Sequence, residues 1–151
     1  MAGTISPEFG VTTVDDIAGV GNTFNAPDGK VFKYVKFVDI DVVLADVVYP
    51  ASTDGSEVTT DYTGGSGLTQ KVCGVSIQAV DISVAAYGWI QIAGVVSTSG
   101  DGSIAAGEAV IGHSTNGEAD TMADGEEELV FGFALAADSG SPAVCNVLLS
   151  L

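Results

Sequence analysis

The sequence predicts an all-β chain: a small β-barrel or β-tulip-like sandwich over residues 28–151, behind an irregular N-terminal arm over residues 1–27. Three observations carry that prediction. The chain is 46% hydrophobic, and its apolar residues are mainly Val, Ala and Ile; the β-branched ones suit a pleated, half-buried surface. It has 20 Gly against 4 Pro, a mix that fits strands joined by Gly-rich turns. Its apolar segments are short and punctuated by pairs such as Asp54-Gly55 and Asn116-Gly117, which mark turns. With 151 residues and a mean hydropathy of +0.40, the chain can bury a real core as one domain or two small fused halves.

Taken in order, residues 1–27 are interrupted by Gly3, Pro7, Gly10, Gly19, Gly21 and Pro27. They read as a docking arm that orders on a partner. Asn25 to Gly29 is a turn. Lys30 to Val38 (KVFKYVKFV) is a strand, and its lysines on both faces mark it as an edge, where Lys discourages wrong pairing. Val42 to Tyr49 is a second strand, ended by Pro50. Ser52 to Gly55 is a turn, Glu57 to Thr60 a short returning strand, and 61–70 a polar Gly-rich loop. Lys71 to Val80 is a strand with a bulge expected at Gly74. The segment 86–96 (AYGWIQIAGVV) is the central strand and holds the single Trp. Alternation sets Tyr87, Trp89 and Gln91 on one face and Ile90 and Ile92 on the other. Ser97 to Ser103 reads as a turn or loop.

The second half echoes the first. The segment from Leu44 to Gly55 aligns with that from Ala106 to Gly117, Asp46 opposite Glu108. Both run acid, three apolar residues, two spacers, Ser-Thr, then Asp-Gly or Asn-Gly. Val72 to Ala79 resembles Val130 to Ala137, and the Trp89 strand corresponds loosely to Ala143 to Leu149. Two such units would close one barrel and hide the edges that one unit exposes. Duplication and convergence on common hairpin syntax explain the match equally well.

Charge excludes several functions. The chain carries 20 acids, four Lys, no Arg and a net charge of −16. No Lys or Arg follows Lys71. Phosphate backbones and anionic lipid repel such a surface, so neither nucleic acid nor membrane is an expected partner. No basic and apolar leader opens the chain and no apolar run spans a bilayer, which predicts synthesis in a cytoplasm. Cys73 and Cys145 are too few for a disulfide framework and read as buried free thiols.

Nothing in the sequence spells out catalysis. His113 is the only His; in an extended segment its neighbour Ser114 points to the opposite face, so the two form no dyad. Two Cys and one His make no zinc spacing. Asp39 and Asp41 share one side of a strand, but neither they nor Glu126 to Glu128 match a calcium loop. The Gly-rich stretches at 64–67 and 100–102 lack the Lys and helix of a phosphate loop. No catalytic residue, metal or cofactor is expected.

The segments VVLADVVYPASTDG, KVCGVSIQAV, AAYGWIQIAGVV, IAAGEAVIGHSTNG and LVFGFALAAD resemble small structural proteins of tailed bacteriophages. The likeness is to capsid decoration, or cement, proteins and other minor head proteins, and covers about residues 30 to 151. It implies a β-barrel added to the outside of a preformed icosahedral shell, often as a trimer, bracing junctions between major capsid subunits. The expected partners are therefore the major capsid protein and further copies of this chain, with contacts that include Tyr87, Trp89 and Gln91, since large aromatics beside a neutral polar residue suit an interface core. The competing expectation is a tail or fibre-associated module whose Tyr87 and Trp89 stack on host-surface glycans. A third class is a small hydrolase with an unrecognised carboxylate pair.

Overall fold

The computed structural model describes residues 11–62, 71–140 and 142–151. They are all-β apart from one 3-10 turn at Glu127–Leu129. The first half contributes β1 (Thr23–Asn25), β2 (Val31–Phe37), β3 (Val47–Pro50), β4 (Glu57–Thr59) and β5 (Gly74–Ser76). The long β6 (Tyr87–Gly100) follows, and then β7 (Ala109–Gly112), β8 (Ala119–Thr121), β9 (Gly132–Ala134) and β10 (Ala143–Ser150).

Hydrogen bonding closes these strands into two rings that share β6. The first runs β2-β4-β3-β5-β6 and returns from β6 to β2; only β2 and β4 are parallel. The second runs β6-β8-β7-β9-β10 and returns to β6, and again one pair, β6 and β8, is parallel. That last closure rests on a single pairing, Gly100 with Ala119. The two half-units thus do not pool their strands in one barrel. Each closes its own ring, because β6 is long enough to offer its first half to β2 and β5 and its second half to β10.

The repeat extends to single hydrogen bonds. Val43 N–H donates to Asp46 Oδ2 at 2.8 Å, and Ala105 N–H to Glu108 Oε2 at 2.7 Å. Ala45 N–H donates to Ser76 O and Gly107 N–H to Ala134 O; Cys73 N–H donates to Val48 O and Phe131 N–H to Val110 O. Ala45 and Gly107 both take positive φ, 76° and 87°. This is the left-handed region that disfavours a side chain, so Ala45 holds it under strain.

One core fills the first ring: Val35, Phe37, Val42, Val48, Val58, Val80 and Ile90. A second, around Val96, Val110, Phe131, Cys145 and Val147, extends onto the back of β3 and β5 through Val47, Tyr49 and Val75. Alternation along β3 explains the split: Val48 points into one ring, its neighbours towards the other.

Several expectations are corrected. The strand at Lys30–Val38 is not an edge, because β2 pairs with β1, β4 and β6. Two of its lysines serve the 52–57 turn instead: Lys33 Nζ donates to Gly55 O, and Lys36 Nζ pairs with Glu57 at 2.9 Å, while Lys30 pairs with Asp28. The 42–49 segment is a strand only from Val47, since the positive φ of Ala45 breaks the extended run. Gly74 carries no bulge; a Cβ there would sit 3.1 Å from Gln91 O, so it serves close strand approach. The register shift lies between Val31 and Phe32 against β6. Ser97 to Gly100 continues β6 rather than turning, since β10 satisfies this polar stretch along one edge and Ala45 O accepts Ser99 N–H on the other. The loop expected at 61–70 lies, from residue 63, outside the described residues, as do the first ten residues of the arm.

Candidate interaction surfaces

The 86–96 segment has the expected two faces. Ile90 and Ile92 belong to the first-ring core, whereas Tyr87 and Trp89 lie on its outer side with Phe32 and Tyr34. Tyr34 links the cluster, its ring 5.1 Å from Trp89 and 6.4 Å from Tyr87. Trp89 is nonetheless only 8% exposed. The chain's own residues cover it: Ala18, Val20, Phe24 and Ala26 pack on the cluster. Residues 11–27 are fastened there by three devices. β1 pairs with β2, Thr13 and Tyr87 exchange both backbone hydrogen bonds, and the Thr13 hydroxyl bonds Tyr34 Oη at 2.7 Å.

Gln91 is buried too, its Nε2 donating to Ala93 O and Val95 O. These bonds brace β6 at Gly94, whose φ of 85° lets the strand turn from one ring to the other. Of the three residues singled out in the sequence, Tyr87 keeps partial exposure, and Trp89 presents no free face to a sugar or a second protein while the 11–27 segment lies over it.

His113 lies in a carboxylate cluster that no sequence spacing announced. Asp101 after β6, His113 after β7 and Asp120 in β8 bring ligand atoms within 4.8 Å of one another. Only the pairing of β8 with both β6 and β7 assembles them. Glu118 Oε2 also stands 3.4 Å from Nδ1 and Asp120 Oδ2 3.9 Å from Nε2. The Thr115 amide donates to Nδ1 at 3.0 Å. Nδ1 thus faces both the Thr115 amide and the Glu118 carboxylate, and Nε2 faces Asp120. The arrangement is a polar cluster at one end of the second ring, with ligand atoms close enough together to hold a cation.

The cysteines are both free. Burial pushes the Cys73 thiol up to about 12, and burial together with Asp138 raises that of Cys145. Neither is poised as a nucleophile, which needs a lowered thiol pKa. No described helix is long and apolar enough to cross a membrane.

No protein-family model matches this chain, and no curated protein matches it. Among solved structures, it is similar to the N base of the head fiber gp8.5 of bacteriophage phi29, with a TM-score of 0.55 at 13% identity. The match covers 80% of this chain and 94% of that one. At that identity the likeness is one of fold.

Proposed function

We propose that this chain is a structural protein of a phage head, carried on the outside of the shell. The observation that carries the reading is the shared fold: most of the chain superposes on nearly the whole of a head-fiber base. The sequence resemblance to decoration and minor head proteins points the same way, as does an acidic surface that keeps clear of stray nucleic acid. In this reading the chain binds the major capsid protein and adds buried interface where shell subunits meet, so that the filled shell resists outward pressure. The fold neighbour also favours a second form of the reading, in which the chain is a base from which further protein projects. Glycan stacking on Trp89 has no such support, because Trp89 is covered.

The test mixes purified protein with shells that lack it and follows co-sedimentation and the temperature of shell rupture. Saturable binding with a raised rupture temperature supports the bracing role. Saturable binding with unchanged rupture supports the fibre-base form. Absence of saturable binding overturns both.

A further inference from the structure

The second ring closes at its thinnest point beside the side chains of Asp101, His113 and Asp120. Gly100 with Ala119 is the one residue pairing between β6 and β8, and Asp101 and Asp120 are the next residues along each strand. Backbone hydrogen bonds fix the positions of all three. Asp101 N–H donates to Ala119 O at 3.0 Å, and His113 N–H donates to Glu118 O at 2.9 Å. Ser103 orients the Asp101 carboxylate, its hydroxyl lying 2.8 Å from Oδ1 and 2.7 Å from Oδ2. Three separate stretches of chain thus hold one ligand atom each within 4.8 Å of the other two.

Donor chemistry separates this group from the chain's other acid clusters. Asp39 with Asp41, and Glu126 to Glu128, offer oxygen alone. Here an imidazole nitrogen joins two carboxylates, a set that suits borderline first-row ions such as Zn²⁺ better than Ca²⁺ or Mg²⁺, which take oxygen. Around a tetrahedral Zn²⁺ with bonds of about 2.1 Å, ligand atoms stand about 3.5 Å apart, so modest rotations of these side chains bring the set to bonding distance. Nε2 already faces Asp120 Oδ2 at 3.9 Å. A metal-bound imidazole donates its other N–H to a carboxylate, and Glu118 Oε2 stands 3.4 Å from Nδ1 to accept it. The Thr115 amide, which shares Nδ1, sits in an exposed turn where water can take its hydrogen bond. Charge adds to the case. Asp101, Glu118 and Asp120 converge in the half of the chain that has no Lys or Arg, and Lys30, Lys33 and Lys36 are engaged at Asp28, Gly55 and Glu57. Carboxylates gathered at such range repel one another, and a divalent cation relieves that repulsion.

We propose that Asp101, His113 and Asp120 bind a divalent transition-metal ion, with Zn²⁺ the best fit, and that the ion clamps the closure of the second ring. Three protein ligands leave the remaining coordination to water. The ion ties the end of β6 to β7 and β8, a link that otherwise rests on one residue pair between β6 and β8. The inference does not depend on the phage reading.

Titration of the untagged, chelator-treated protein with Zn²⁺ tests it. His113 is the chain's only His, so its ring C–H resonances report on this site alone. They should shift and saturate at one equivalent, and calorimetry should give the same stoichiometry. The melting temperature should rise with Zn²⁺ concentration, because an ion bound only to the folded ring stabilises it by mass action. Ca²⁺ and Mg²⁺ should do neither. His113→Ala should weaken Zn²⁺ binding at least about a hundredfold; Asp101→Asn, at an exposed position, is the second variant should that one fail to fold. Glu128→Gln, in a separate acid cluster, should bind like the parent. Absence of saturable binding at one site per chain overturns the proposal. So does undiminished binding by a folded His113→Ala or Asp101→Asn variant. An equal response to Ca²⁺ overturns the assignment to a transition metal, and binding without a rise in melting temperature overturns the clamp.

Discussion

The carboxylate of Asp46 lies against Gly117 so closely that a Cβ on Gly117 would come within 2.6 Å of Asp46 Cγ. The contact is where the two rings meet. Beside it, Val47 N–H donates to Gly117 O, and Ala45 O accepts from both Ser99 N–H and Thr98 Oγ1. Gly117 has a φ of 80°, in the region that disfavours a side chain. Gly117→Ala is therefore expected to lose about 1–3 kcal/mol, combining backbone strain with overpacking. Urea unfolding checks this; a loss below a few tenths of a kcal/mol would mean that the ring junction is slack.

Asp46 itself makes stability depend on pH. Its carboxyl is pushed up to about 6, chiefly by burial, while hydrogen bonds from Val43 and Ser99 pull the other way. The folded chain thus holds this proton more tightly than the unfolded chain, where the group titrates in the ordinary carboxylate range. The associated stability is full below about pH 4 and is lost as pH rises through about 6. Asp46→Asn keeps an acceptor for Val43 N–H and removes the ionisation. The variant should gain about 1–2 kcal/mol relative to the parent at pH 7.5, and little of that at pH 4. An equal difference at both pH values would show that Asp46 does not titrate in this window.

Gln78 is buried in the wall of the first ring, and its Nε2 and Oε1 have no hydrogen-bond partner among the described residues. It lies over Gly88, where any Cβ would overlap the amide. An unsatisfied buried amide costs about 1–3 kcal/mol, so Gln78→Met, of similar length and without polar atoms, should raise the melting temperature. A lowered one would reveal a partner, such as a buried water, that the amide holds.

Trp89→Ala should cost about 3–5 kcal/mol, the range for a large aromatic removed from a packed site. It should also loosen residues 11–27, which rest on the Trp89 cluster. Limited proteolysis reads this out: the parent should resist cleavage before β1, and the variant should be cut there while Val31 onward survives. Equal resistance in both would mean that the Thr13 bonds to Tyr87 and Tyr34 hold the segment without Trp89.

The sequence by itself determined the all-β class, most strand cores, the two faces of the Trp89 strand and the correspondence of Asp46 with Glu108. These are local matters: alternation, turn chemistry and acid placement act over a few residues. It also showed that the halves are alike, though not how they close. Closure depends on which strands meet across long stretches of chain, and neither the sharing of β6 nor the interior place of β2 leaves a local trace. The Ser-Thr-Ser-Gly end of β6 has the composition of a turn and becomes strand only because β10 and the Ala45 turn flank it. Trp89 looked available because an aromatic strand face reads the same whether its cover comes from another molecule or from residues 11–27. Which face of β10 meets water was likewise set by ring closure. Burial is a property of the assembled rings, and tertiary structure decided it.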